Sequence, residues 1–525
     1  MKKNILSVAV AASVAVTAGH AVAQSTATTA PMFISPDNTG QVLVFPYYNA
    51  ENGNTTSMHI VNTTAKAKVL KVRFREYKAS YEVLDFNVFL SPKDHFSWTV
   101  AAHPEGGTEG AAIITRDSSC TYPALGSDNY DPYKGGTLAD GAVYQPFVNF
   151  EFSKAVDNGD ARSLAGYVEV IEMGVADTTT AGKAWAAAVT HTAKGVPLKC
   201  ATIAANYAAT GIWAPPTNPD LATSTLNTGI GAPEGGVYGI AYHLNVDDAA
   251  AFGIEPTVID DFSAVALHYT AGSELPNLGQ GTRYSRQIDP VDGESSYLNY
   301  TTAVAGGWQT VNSLIMTDTI MNDVMTNDAV GAQTDWVITF PTKHAHVNGK
   351  ADGAAVVPFT DEYRPGVAAV STSKEALACE VVATTYYDRE EQTVVPEEQP
   401  GFSPQPEFEV DYQKLCYEVT TLNWDSDVGA LNGTLGNQKA SYDFEDGWAE
   451  VSMSPAAYVN SGGTKFNGRK IEDDNGITLD GLPAIGFMAT KYANTTVIDG
   501  ALFAYGHVAD HKTNTVISDF TNSPY

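Results

Sequence analysis

Apolar and polar residues alternate with a period of two through much of the first hundred positions. In "AKVLKVRFREY" (67–77), Val69, Lys71 and Arg73 fall on one side, and Leu70, Val72 and Phe74 on the other. That is the pattern of a strand with one face in a core. The runs "GQVLVFPYY" (40–48), "SMHIVNTT" (57–64), "YEVLDFNVFL" (81–90) and "HFSWTVAA" (95–102) are similar, with Asn, Gly, Pro and Ser between them. Short strands at close spacing, with "NTT" (62–64) and "SPKD" (91–94) as turns, predict an immunoglobulin-like β-sandwich.

Further along, "GYVEVIEMG" (166–174) reads as a strand, whereas "AGKAWAAAVTHTAKG" and "CATIAANYAATGIW" carry Ala-rich, helix-tolerant patterns. They predict a small helical insertion over about 181–220, broken at "APPTNPD". "NSLIMTDTIMNDVM" (312–325) reads as another short helix. After about 360, "ACEVVATTYYDREEQ" and "KLCYEVTTLNWDSD" flank an acidic, Pro-rich stretch. This predicts a long hairpin with a projecting loop at about 389–412. The organisation is mainly β, with an N-terminal sandwich domain over 24–360 and a C-terminal one over 361–525. "GYVEV" (166–170) and "GWAEV" (447–451) resemble each other as two copies of one unit would.

Residues 1–23 change the setting. Lys2 and Lys3, the apolar run Ile5–Thr17 and Ala21-Val22-Ala23 have the form of a secretory signal peptide. No later stretch has the roughly 18 uninterrupted apolar residues of a spanning helix, so the expectation is an exported protein at the cell surface or outside the cell.

Charge narrows the partners. The chain has 60 Asp and Glu against 30 Lys and Arg, a net charge of −30, or −32 without Lys2 and Lys3. Only 17% of residues are charged, below the usual level of about 25%. Such a surface repels nucleic acid and anionic lipid. Its surplus carboxylates suit Ca²⁺, the hard cation that takes oxygen ligands readily. The four cysteines, Cys120, Cys200, Cys379 and Cys416, allow three disulfide connectivities. Pairing of sequence neighbours, Cys120–Cys200 and Cys379–Cys416, is preferred; by loop entropy each would stabilise on the order of 4 kcal/mol.

Signatures of catalysis are missing: there is no G-x-S-x-G, no H-E-x-x-H and no phosphate-binding Gly loop. His344 and His346, in "TKHAHV" after the strand "WVITF", stand two apart as a metal-binding pair would on a strand. "VNGKADG" follows with no adjacent third ligand. They read as surface or packing residues of sheet, and His507 and His511 in "GHVADHK" read alike. For calcium the candidates are Asp425 and Asp427 in "NWDSDVG", and Glu472, Asp473 and Asp474 in "IEDDNG". None has EF-hand spacing. "FPYY" (45–48), "TTYY" (384–387) and "SDNYDPY" (127–133) would stack on sugars if exposed, and would pack in the core otherwise.

At "GQVLVFPYYN", "HIVNTTAKAKVLKVRFREYKASYEVLDFNVFLSPKDHFSWTVA", "GYVEVIEMG", "TDWVITFPTK" and "GLPAIGFMATKYAN" the chain resembles a family of exported, strand-rich gammaproteobacterial surface proteins. In size and acidity it is similar to marine gammaproteobacterial surface-layer proteins. The resemblance implies a secreted protein whose copies form a lattice on the outer membrane, contribute to biofilm matrix and use Ca²⁺ in assembly. The expected partners are further copies and the outer-membrane surface, with lipopolysaccharide as a possible contact; no catalytic residue comes with the resemblance. Three functions follow in order: a structural lattice protein, a carbohydrate-binding adhesin, and a secreted hydrolase using His344 and His346.

Overall fold

The computed structural model describes residues 30–106, 109–127, 133–154, 159–215, 225–288, 295–303, 305–347, 357–359, 377–390, 411–424, 429–440, 445–455, 469–498 and 501–518. With 47% strand and 12% helix the protein is mainly β. The strands of the first half form two facing sheets. One has eight strands, with a main path Phe33–Ile34, Thr257–Asp260, Val42–Asn49, Ala165–Ala176, Lys68–Glu76, Glu82–Leu90 and Cys120–Tyr122, and Ile230–Gly231 paired at its side. The other has seven: Ala250–Ile254, Val237–Asn245, Asn54–Asn62, His95–Ala102, Ala111–Thr115, Val143–Pro146 and Gly136–Thr137.

The alternation in "VLKVRF" sets the layering. Leu70, Val72 and Phe74 point inward, where Phe74 meets Tyr48, Trp98 and Phe147. Val69, Lys71 and Arg73 point the other way but are buried too, because further chain lies over that face. Two helices supply part of this cover, α1 (Thr180–Val189) and α2 (Cys200–Tyr207), within the region expected to be a helical insertion. Phe89 stacks on Trp213 at 5.6 Å beneath them, and Trp185 and Trp213 donate their indole N–H to Gly229 and Thr228 carbonyls. The Cys120–Cys200 bond ties the first residue of α2 to the sheet edge.

A second pair of sheets has five strands each. One runs Asp411–Leu415, Glu380–Asp388, Asp446–Ser452, Thr319–Met325, Lys512–Asn514. The other runs Asn437–Ala440, Val419–Trp424, Ala332–Thr339, Ile485–Ile498, Ala501–Asp510. Its pairing corrects two expectations. Thr319–Met325 and Ala332–Thr339 hydrogen-bond to strands beyond residue 380, so the second sandwich takes its first strands well before residue 361. Moreover, 312–325 is not one helix: α3 spans Gly306–Ile315, and the chain then turns extended at Met316. The strand alternates buried Ile320, Asn322 and Val324 with outward residues, a period of two that the Met and Ile content disguised as a helical face.

The expected C-terminal hairpin is present. Glu380–Asp388 and Asp411–Leu415 pair antiparallel, Glu380 opposite Leu415, with the Cys379–Cys416 bond just beyond that end. Residues 391–410 of its loop lie outside the described residues. The similar pentapeptides occupy interior strands of their sheets, Ala165–Ala176 and Asp446–Ser452.

Candidate functional site at the junction of the sandwiches

The strand Val42–Asn49, which belongs to the first sandwich, also abuts the second. Thr339 donates to the Pro46 carbonyl at 2.6 Å, Tyr167 to the Pro341 carbonyl at 3.2 Å, and the Val419 amide to the Tyr77 carbonyl at 2.9 Å. Between them, Tyr47 meets Phe487 edge-on, and one core cluster includes Tyr47, Val337, Val419, Ile485 and Phe487. An apolar cluster thus runs from one sandwich into the other.

Polar groups seal one flank. Residues 429–436 lie against the turn at 49–54. Glu51, nearly buried, accepts from the Thr434 amide (3.0 Å) and hydroxyl (2.6 Å), the Leu435 amide (3.0 Å) and the Asn49 side chain (2.9 Å). Asn54 donates to the Leu431 and Asn432 carbonyls, each at 3.0 Å. In the sequence both segments, "NAENGN" and "GALNGTLG", read only as turns. Their complementarity exists across nearly 400 positions and leaves no local signal.

Buried ionisable groups sit at the same junction. Burial pushes Asp335 up to about 6, against bonds from the Leu431 amide and Asn423. Burial pushes Glu418 up to about 8, with Lys343 opposing. His243 packs beside Tyr47 and Phe252 with Nε2 on the Leu431 carbonyl at 3.1 Å, and burial pushes it down to about 4. Because the folded protein resists protonating His243, its contribution to stability is complete above about pH 6.5 and drains away as pH falls towards 4. At pH 4.5 the loss from this one group is about 2–3 kcal/mol. Glu418 and Asp335, with raised values, work in the opposite direction, but they are common to a variant and its parent. His243→Phe, which suits the aromatic setting, should therefore narrow the stability difference between pH 7 and pH 4.5 by about that amount in urea titrations. An unchanged difference would show that His243 is not held neutral.

For the histidines of "TKHAHV" the packing alternative holds, while the expected strand does not. They are neither on a strand nor at the surface: α4 (Lys343–Val347) carries both, and both are buried. Positions two apart on a helix diverge by about 200°. His344 lies edge-on to Trp308, while His346 bonds Asn312 at 2.9 Å and packs on Phe359. They do not converge on one ion. His507 is exposed, whereas the ring of His511 bonds both Asn322 (3.0 Å) and the Val337 carbonyl (2.9 Å). His511 stands by a crevice of about 380 Å³ between the sandwiches, walled by Ile34, Leu314, Ile338 and Ile485 with Asn38 and Glu255 at hand.

Among the calcium candidates, Asp425 and Asp427 lie outside the described residues. Glu472 ends a strand with its side chain exposed. Asp473 accepts from the amides of Asn475 (2.9 Å), Ile477 (2.8 Å) and Asn299 (3.2 Å), which makes it the cap of its own turn. Asp474 reaches the Thr301 hydroxyl and the Thr302 amide and hydroxyl; despite some desolvation these bonds hold it below the usual carboxylate range. The two neighbours thus point their oxygens at different protein donors. Among the described residues no group of three or more His, Cys, Asp or Glu side chains converges as metal ligands.

The strongest electrostatic feature has no local sequence signature. On the outer face of the eight-stranded sheet Lys71 pairs with Asp85 (2.5 Å), Arg73 with Glu82 (2.7 Å) and Arg75 with Glu169 (3.0 Å), and Lys68 pairs with Glu172 (2.6 Å) at the end of the same strand. Arg162 pairs with Glu76 nearby at 2.8 Å. The carbonyls of Ser273 and Pro276 accept from Arg73 and complete the cover. Burial, with Asp85 beside it, pushes Glu82 up to about 7, and burial pushes Lys71 down. Each cation is matched by an acid, so the belt is internally neutral and the surplus of carboxylates remains elsewhere on the chain.

Of the aromatic candidates, Tyr47, Tyr48, Tyr133 and Tyr386 are buried. Tyr387 stacks on Trp448 at 4.4 Å, and Trp448 is 38% exposed, so this pair reaches the surface. Comparison with family models, with curated proteins and with solved structures finds no match for this chain. The two disulfides mark an oxidising, extracytoplasmic setting, and among the described residues no helix is long and apolar enough to cross a membrane.

Proposed function

We propose that this protein is a structural component of a Gram-negative cell surface, whose copies assemble into a surface layer with Ca²⁺ offsetting their mutual repulsion. The observation that carries the reading is the junction. Two sandwiches share one apolar core and a sealed polar flank, so a protomer presents its outer surfaces at a fixed relative angle. An extended array needs that property, because a small angular error at each heterologous contact accumulates across the sheet. Two disulfides add covalent bracing, one in each sandwich. A net charge of −30 makes neighbours repel unless cations lie between them. Sedimentation velocity of the mature protein should show large species in millimolar CaCl₂ that revert to protomers in EGTA. Identical distributions in both buffers would remove calcium from the proposal.

One observation favours a second reading, a carbohydrate-binding adhesin. The Tyr387–Trp448 stack has Glu450 and Asp323 on the flanking strand positions, and an exposed indole beside carboxylates suits a neutral sugar ring. Retention on a polysaccharide column that disappears in Trp448→Ala would favour it. The hydrolase reading has lost the His344/His346 pair on which it stood.

A further inference from the structure

The seven-stranded sheet turns alternate residues of Asn54–Asn62 inward, including Met58 and Ile60, and leaves the others towards solvent. His59 is on that outer side, with Ile240 and Ser97 as its cross-strand neighbours. His95, exposed, stands on the adjacent strand opposite Val61, one pleat from Ser97. The two rings lean together: His59 Nδ1 and His95 Nε2 are 2.9 Å apart, and Tyr242 meets His59 edge-on at 5.8 Å.

We propose that His59 and His95 form a two-nitrogen site for a borderline divalent metal ion, Cu²⁺ above all, with Ni²⁺ and Zn²⁺ weaker. Geometry is the first support. Two imidazole nitrogens about 2.0–2.1 Å from one ion and at right angles stand roughly 2.9 Å apart, and this pair is already at that separation. Both side chains rise from hydrogen-bonded strands whose register holds their backbones in place, so binding costs only ring rotation. The proton that now joins the two nitrogens moves to the far nitrogen of its own ring. Both rings then stay neutral and offer lone pairs to the ion, with water filling the remaining positions.

The surroundings set the selectivity. The flanking outer positions are Ile240, Tyr242, Ser97 and Val61, none of them a carboxylate. The nearest acid along the chain, Asp94, accepts from the Ser91 and His95 amides in the adjoining turn. Attraction therefore comes from nitrogen donors rather than negative charge. That favours copper by the usual order of stability and excludes Ca²⁺ and Mg²⁺, which seek oxygen. The site is independent of any calcium used in assembly.

The test adds Cu²⁺ alone to the mature protein at neutral pH, with calorimetry for stoichiometry and electron paramagnetic resonance for the donor set. The expected result is one equivalent with two equatorial nitrogens from histidine, unchanged by excess Ca²⁺. His59→Ala and His95→Ala should each weaken it at least about tenfold, while His507→Ala, another exposed histidine, should not. His95→Gln keeps a polar side chain without the imidazole donor and should behave like His95→Ala, which separates ligation from any loss of folding. Copper bound equally well by His59→Ala and His95→Gln, or displaced by Ca²⁺, would overturn the assignment.

Discussion

Glu169→Ala should cost the folded protein about 3–5 kcal/mol, the usual penalty for stranding a buried charge. Glu169 is fully buried between Arg75, at 3.0 Å, and Arg73, at 3.5 Å. Its removal leaves two guanidinium groups under the covering segment with less opposing charge, where water does not reach them. Arg73 still has Glu82 and the carbonyls of Ser273 and Pro276, so it is the better compensated of the two. Arg75 keeps the Ser80 carbonyl as an acceptor, a neutral partner in place of a carboxylate. Urea denaturation followed by tryptophan fluorescence reads the loss directly. A loss under about 1 kcal/mol would mean the belt is solvated in solution and behaves as a surface pair does.

Glu51→Ala should act on the junction. Its carboxylate collects four donors, three of them from the opposing segment at 434–435. Leaving several buried donors unmet, at about 1–3 kcal/mol each, implies a total loss on the order of 4 kcal/mol. The loss should also be local first: hydrogen exchange should quicken at 429–436 before the strands of either sandwich lose protection. If both sandwiches exchange faster together, they unfold as one unit, and the junction is no weaker than the cores it joins. If neither changes, Glu51 has no role in joining them.

Much of this architecture was legible in the residues. Alternation in "VLKVRF" correctly separated Leu70, Val72 and Phe74 from Val69, Lys71 and Arg73, and Ala-rich spacing placed α1 and α2 near their true positions. The preferred cysteine pairing is the one observed. What the sequence hid is what depends on distance along the chain. Alternation puts Lys71 and Arg73 on one side of the strand but is silent on their burial, because the segment that covers them arrives some 200 residues later. Thr319–Met325 and Ala332–Thr339 were grouped with their neighbours in sequence, while their hydrogen-bonding partners lie beyond residue 380. "TKHAHV" has spacing that suits a strand, but it follows Pro341 and packs against Trp308 and Phe359 as a helical turn. Glu51 and His59 had no motif at all. One is defined by a partner segment nearly 400 positions away, and the other by a ring on the next strand.

The central claim is that copies of this rigid, acidic protomer associate into sheets. Negative-stain electron microscopy of the mature protein in millimolar CaCl₂, beside the same preparation in chelator, tests it most directly. The account predicts ordered two-dimensional sheets with calcium and dispersed protomers without it. Single particles in both would contradict self-assembly and leave the Tyr387–Trp448 surface, with its sugar-binding reading, as the better guide to function.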